Sequence, residues 1–155
     1  RVVKDLNGLT EEKFLKLIQS CFLLIPHSDP RSLIPSNTFS MLLNKKWYRL
    51  EVKDHIKSDD PFKGLETFIL QNYLLEPILG IDDPRTNNRI DFVGGIRGLE
   101  ELERRCSTDS KVAFVLHPIS INNLLAVADA GKVMPPKSTW FEPKLRSGLV
   151  VRLLD

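Results

Sequence analysis

The densest run of chemically useful side chains is residues 134–148, Met-Pro-Pro-Lys-Ser-Thr-Trp-Phe-Glu-Pro-Lys-Leu-Arg-Ser-Gly. Pro135, Pro136 and Pro143 stiffen the backbone. Lys137, Lys144 and Arg146 bring positive charge, and Ser138, Thr139 and Ser147 bring hydroxyls. A stiff segment loses little entropy on closing around a ligand, and charged donors make the strongest hydrogen bonds to an oxyanion. The expected chemistry is anion binding, phosphate above all, carried by Lys137, Ser138, Thr139, Lys144 and Arg146. Lys137-Ser138-Thr139 shares residue types with the end of a phosphate-binding P-loop. The glycines of such a loop are absent, which excludes that motif. The plainer reading of the segment is a rigid connector with solvated charges, pinned to the core by Trp140 and Phe141.

A second cluster spans residues 82–98. Two glycines, Gly94 and Gly95, follow a short apolar run and let a ligand approach the backbone closely. A helix starting near Gly98 offers free N–H groups to an anion. Arg85, Arg89 and Arg97 add forked donors, and Asp83 with Asp91 could hold a hard cation such as magnesium. The spacing of Gly94, Gly95 and Gly98 is not that of a dinucleotide fingerprint. The competing reading is a structural turn with solvated surface ion pairs.

The other reactive residue types form no constellation. His27, His55 and His117 fall in different elements, and no metal-type histidine or cysteine pair exists. His117 stands at the end of a buried-type strand, where a hydrogen-bonded structural histidine is expected more often than a catalytic base. No serine occupies a nucleophile elbow. Cys106 lies beside Arg104 and Arg105 but has no activating motif. Trp47 and Tyr48, next to Lys45 and Lys46, have the types needed to stack on a base, though a core-facing aromatic on a hairpin is the commoner arrangement.

Periodicity gives the elements that must position these groups. Residues 9–20 predict a helix with Thr10 as N-cap, acidic Glu11 and Glu12 in its first turn, and Phe14, Leu15, Leu17 and Ile18 on its apolar face. A short apolar run, 22–25, precedes a proline- and serine-rich loop over 27–37. A hairpin follows, with strands at 39–43 and 47–52 and a turn at 44–46. An apolar stripe through Leu65, Phe68, Ile69, Leu75 and Ile78 predicts a helix that Pro77 kinks or ends. Beyond it come a strand at 90–93, a helix at 99–105, a strand at 111–116, a helix at 122–130 that Gly131 terminates, and a strand at 149–154. Alternating strands and helices in the second half suggest packed βα units, and the hairpin argues for a mixed sheet. The expected fold is thus α/β (α+β): a mixed β-sheet flanked by helices, with one β-hairpin, in a single compact domain.

Composition limits the function classes. At 155 residues, 42% hydrophobic and 27% charged, the chain suits one globular domain. Its 22 basic and 20 acidic residues leave a net charge of +2, too little for a nucleic-acid or anionic-membrane field, so nucleic acid is disfavoured as a partner. No apolar run reaches about 18 residues, so no membrane helix is expected. The opening Arg1-Val2-Val3-Lys4-Asp5 has neither an initiator Met nor a leader pattern and reads as the interior of a gene product. Two unpaired cysteines, Cys21 and Cys106, suit a reducing, cytoplasmic location.

Asp83-Pro84-Arg85-Thr86, Arg89-Ile90-Asp91-Phe92-Val93-Gly94-Gly95 and above all residues 134–148 resemble one family, domain-of-unknown-function family 1015 of bacteria and archaea. Residues 1–6 and 70–80 are similar to it as well, so the resemblance covers nearly the whole chain. It implies that this chain is the C-terminal portion of a longer protein, whose N-terminal region would be a partner of this domain. The family carries no secure catalytic residue. Its distant similarity to the ParB and sulfiredoxin-like group, which includes a kinase acting on free serine, implies phosphoryl chemistry on serine or phosphoserine. Two expectations follow. One is a phosphate-handling small-molecule enzyme, a phosphotransferase or phosphatase, with Lys137, Lys144 and Arg146 on the phosphate and Asp83 or Asp91 on magnesium or the nucleophile. The other is a ligand- or nucleic-acid-binding module, or a structural C-terminal domain without activity.

Overall fold

Asn44 and Lys45 both take positive φ, 48° and 60°. That pairing makes a two-residue turn whose twist matches the strands on either side, so the chain reverses tightly with Leu43 opposite Lys46. The computed structural model describes residues 1–27 and 37–139. In chain order its elements are β1 (Val2–Val3), α1 (Glu11–Ile18), β2 (Phe22–Pro26), β3 (Thr38–Leu43), β4 (Lys46–Val52), α2 (Glu66–Leu70) running into a π-helical turn (Gln71–Leu75), β5 (Ile90–Asp91), a 3-10 turn (Gly95–Arg97), α3 (Gly98–Thr108), β6 (Val112–Val115) and α4 (Ile121–Asp129).

The strands form one six-stranded sheet in the order β2-β4-β3-β6-β1-β5. The α+β class is as expected. The mixed pairing is not: every pairing among the described strands is antiparallel. The cause is β1, which is too short to register as a strand in the sequence pattern. Val2 pairs with Asp91 on one side and with Ala113 on the other. Strands β5 and β6, joined through α3, therefore run in the same direction with β1 inserted between them. The βα unit exists, but its two strands do not touch.

The faces follow the strand period of two. Phe39, Met41 and Leu43 of β3, with Leu50, Val52, Phe22, Phe114 and Val3, face α1 and α2 and build the main core. Phe22 and Phe39 meet edge to face at 5.3 Å. Leu42, Val2 and Ala113 point the other way, onto Leu102 of α3. Every residue of β3 is buried because helices cover both faces at that strand.

The helix ends follow local chemistry. Thr10 Oγ1 accepts the Lys13 N–H at 3.3 Å, the expected N-cap of α1. At the end of α4, Gly131 takes φ 67°, with Gly131 N–H on Ala128 O and Lys132 N–H on Val127 O, a Schellman motif. Proline at 77 donates no backbone bond. The segment before it widens to the π turn, with Glu76 N–H on Gln71 O, and Gly80 at φ 64° ends the helical run. The strand expected at 149–154 lies outside the described residues, as do Trp140, Phe141 and most of the loop expected at 27–37.

Candidate functional site

Arg1 extends the β1–β6 ladder by one pair: its nitrogen donates to Phe114 O and its carbonyl accepts from Phe114 N–H, both at 2.8 Å. This anchors its side chain at the floor of a cleft of about 310 Å³. One wall is Asp82, Asp83, Pro84 and Arg85, the other is Pro135 and Pro136, and Thr67 and Gln71 of the α2 region close the end. The two segments singled out from sequence thus contribute residues 82–85 and 135–136 to one cleft together with Arg1.

The Arg1 guanidinium is the electrostatic centre of the cleft. It is buried, donates from Nη2 to Pro136 O at 3.3 Å, and lies 5.4 Å from the Phe92 ring centre. Lys137 Nζ approaches the same ring at 6.0 Å. No carboxylate pairs with Arg1 among the described residues. Burial alone lowers its pKa, from 12.5 to about 10, which leaves it cationic at neutral pH. A buried cation without an anionic partner is costly, and an anion in the cleft would relieve that cost.

The walls are preorganised. Arg85 grips Asp83 in a fork, Nε to Oδ1 at 3.0 Å and Nη2 to Oδ2 at 2.8 Å, and its backbone N–H adds a bond to Oδ1 at 2.9 Å. These contacts hold the Asp83 carboxyl down to about 2. Opposite, Ser138 Oγ donates to Pro135 O at 2.6 Å and stands 3.3 Å from Thr67 Oγ1. Lys137 adopts φ 56°, a left-handed conformation that non-glycine residues rarely take and that is held only where surroundings impose it. Gln71 Nε2 donates to Ile81 O at 2.7 Å and Asp82 O at 3.1 Å, tying the π turn to the acidic wall.

The remaining sequence candidates fall elsewhere. Of the described candidates only Asp83 and Arg85 line the cleft; Lys137 and Ser138 lie next to its Pro135–Pro136 edge, and Asp91, Gly94, Gly95 and Arg97 do not line it. Asp91 accepts from Arg105 Nη1 at 2.8 Å and from the Phe92 N–H at 2.7 Å, which keeps its carboxyl below the usual range. Gly94 has φ −67°, and a Cβ on Gly95 would meet nothing, so neither glycine is demanded by the backbone or by a close neighbour. At the α3 N-terminus the Glu100 carboxylate folds back over Gly98, putting the helix's own anion where an external one was expected. Asp83 and Asp91 are each engaged by an arginine rather than brought together, and no group of three metal-ligating side chains exists among the described residues. Thr139 is exposed beside Ser138, and Lys144 and Arg146 lie outside the described residues.

His117 is held by Glu66: its backbone N–H donates to Oε2 at 3.0 Å, and Nδ1 sits 3.0 Å from Oε1. Burial pushes the Glu66 carboxyl up, against the opposing pull of His117. Burial raises the Cys106 thiol to about 11, which disfavours the thiolate at neutral pH. Trp47 is structural, donating Nε1 to Glu103 Oε1 at 3.1 Å and bridging β4 to α3. A larger depression of about 760 Å³ beside Thr38, Glu51 and His55 has its charges satisfied locally, Lys57 by Asp54 and Glu51 by Arg49.

Sequence reasoning missed Arg1, Thr67, Gln71 and Phe92. Gln71 left a trace: it falls three residues after Phe68 and four before Leu75, a polar side chain on an otherwise apolar stripe. Arg1 and Phe92 left none, since only the pairing of β1 with β5 and β6 brings them together. The chain matches no family model, no curated protein and no solved structure.

Proposed function

We propose that the Arg1 cleft is an anion site that receives the phosphate of a small molecule, and that this chain forms part of a phosphate-handling enzyme, a phosphotransferase or phosphatase. The observation that carries the reading is the buried Arg1 guanidinium, with no carboxylate partner among the described residues, between two preorganised loops. In this reading Arg1 is the primary phosphate ligand and Lys137 a second, more exposed cation. Thr67 and Ser138 supply hydroxyls, and Asp83 positions Arg85 at the rim. Lys144 and Arg146 remain proposed as further cations of the same segment. The magnesium role proposed for Asp83 or Asp91 finds no support in their arginine-bound geometry. The family resemblance extends the proposal to serine or phosphoserine as substrate and to an N-terminal region of the same protein as the partner that completes the site.

Thermal denaturation with phosphate against chloride at constant ionic strength tests the reading. An anion at 100 times its Kd stabilises by about 2.7 kcal/mol, roughly 5–10 °C for a chain of this size. Lys137→Ala should reduce that shift. A flat response to phosphate would remove the reading.

A further inference from the structure

Asn7 and Gly8 turn the chain between β1 and α1. Asn7 takes φ 56° and Gly8 φ 73°, and the Leu9 N–H closes the turn on Leu6 O at 3.0 Å. Asparagine followed by glycine suits such a turn, because both positions need the left-handed region. The pair is also chemically reactive. Gly8 has no side chain to shield its nitrogen, and a Cβ built there would meet nothing within 4 Å. Its N–H has no acceptor among the described residues. Asn7 is exposed, and one long bond holds its amide, Nδ2 to Ile78 O at 3.3 Å. Asn7 is the one asparagine of the chain that precedes a glycine. Asn44, also in a tight turn, precedes Lys45 and donates from Nδ2 to Glu11, while Asn72, Asn122 and Asn123 lie in helical segments.

We propose that Asn7 is a site of spontaneous deamidation in the folded protein. The Gly8 nitrogen, deprotonated by hydroxide, attacks Asn7 Cγ. A new N–Cγ bond closes a succinimide ring, the Cγ–Nδ2 bond breaks, and the amide nitrogen leaves as ammonia with a proton from water. Water then opens the ring, giving aspartate, or isoaspartate when the side chain becomes the main-chain link. Water is the only co-reactant, and nothing is oxidised or reduced. Attack requires Asn7 to rotate out of the left-handed region, and glycine at the next position leaves that rotation unhindered. The product undoes a contact between distant segments. Asn7 Nδ2 ties the turn to the end of the α2 helical run, beside Gly80. A carboxylate has no donor for Ile78 O and repels it. It also adds a charge two residues from Asp5, whose Oδ1 already accepts the Asn7 N–H at 2.8 Å.

Ageing the folded chain at mildly alkaline pH in heavy-oxygen water, followed by peptide mapping, tests the proposal. Asn7 should convert ahead of the other asparagines, gaining a negative charge and heavy oxygen. Asn7→Asp, one product of ring opening, should lower Tm by about 2–4 °C, the loss of one hydrogen bond in a chain of this size. Gly8→Ala should hold the starting charge over the same interval. Alanine at φ 73° is strained, so Asn7→Gln, which would have to close a larger ring, replaces it if Gly8→Ala does not fold. An Asn7 peptide that stays intact in the folded chain, or that converts only after other asparagines, would overturn the proposal. An unchanged Tm for Asn7→Asp would overturn the loss of the contact with Ile78.

Discussion

Replacing Arg1 by methionine separates a ligand-binding arginine from a structural one, because the two roles predict opposite changes in stability. In the anion-free protein, Arg1 contributes a long hydrogen bond to Pro136 O at 3.3 Å and a cation–π contact with Phe92 at 5.4 Å. Together these are worth about 2 kcal/mol. Against them stands the desolvation that lowers its pKa from 12.5 to about 10, which corresponds to about 3 kcal/mol at 1.36 kcal/mol per unit. Methionine keeps most of the apolar stem without the charge, so Arg1→Met should be neutral to about 1 kcal/mol more stable without anion. That is a rise in Tm of up to about 4 °C. With phosphate the order reverses. Losing charged hydrogen bonds should weaken binding about 10- to 100-fold. At a concentration 100 times the original Kd, the stabilisation then falls from about 2.7 to about 0.4–1.4 kcal/mol. Thermal melts of both proteins across a phosphate series read both effects. Strong destabilisation of Arg1→Met in the absence of anion, together with a full phosphate shift, would refute the reasoning and make Arg1 a structural residue.

Three further outcomes follow from the fold. Lys45→Gly should raise stability by roughly 1 kcal/mol, because φ 60° at the second turn position penalises a side chain; urea denaturation reads the change in midpoint. Phe39→Ala should cost about 3–5 kcal/mol in the same assay, since it removes a fully buried ring packed edge to face on Phe22. The third concerns pH. Burial holds the Glu66 carboxyl above its ordinary 4.5, so between that value and its folded pKa the folded state binds more protons than the unfolded one. Stability from this group is complete below pH 4.5 and is lost as pH rises through the folded pKa. Glu66→Gln should flatten that part of a stability–pH profile measured by denaturant titration, and an unchanged slope would count against a raised pKa.

What could be read from the sequence was what local chemistry decides. Thr10 announces the start of α1, Gly131 the end of α4, and alternation from Trp47 to Val52 the second hairpin strand, because caps, turns and periodicity act over a few residues. The sheet order was not legible. It depends on Val2 and Val3, two residues with no detectable period, sliding between β5 and β6. The same holds for the site. The two segments singled out by residue type contribute Asp83, Pro84, Arg85, Pro135 and Pro136 to one cleft, but nothing in the sequence says that they meet, and Lys137 and Ser138 fall beside the lining rather than in it. The floor, Arg1, is set by pairing with Phe114 across more than a hundred residues. The glycines and Asp91 were misleading for a related reason. Carboxylates and glycines near a helix start look available in sequence, but Arg105 takes Asp91 and Glu100 covers Gly98 in space.

The central claim, that the Arg1 cleft receives an anion, is tested most directly by soaking crystals of the chain in selenate and locating the ion by its anomalous scattering. The account predicts a selenium peak in the cleft, within hydrogen-bond distance of the Arg1 guanidinium and between the Asp83–Arg85 and Pro135–Pro136 walls. An empty cleft with selenate bound elsewhere, such as at the α3 N-terminus beside Gly98, would contradict it.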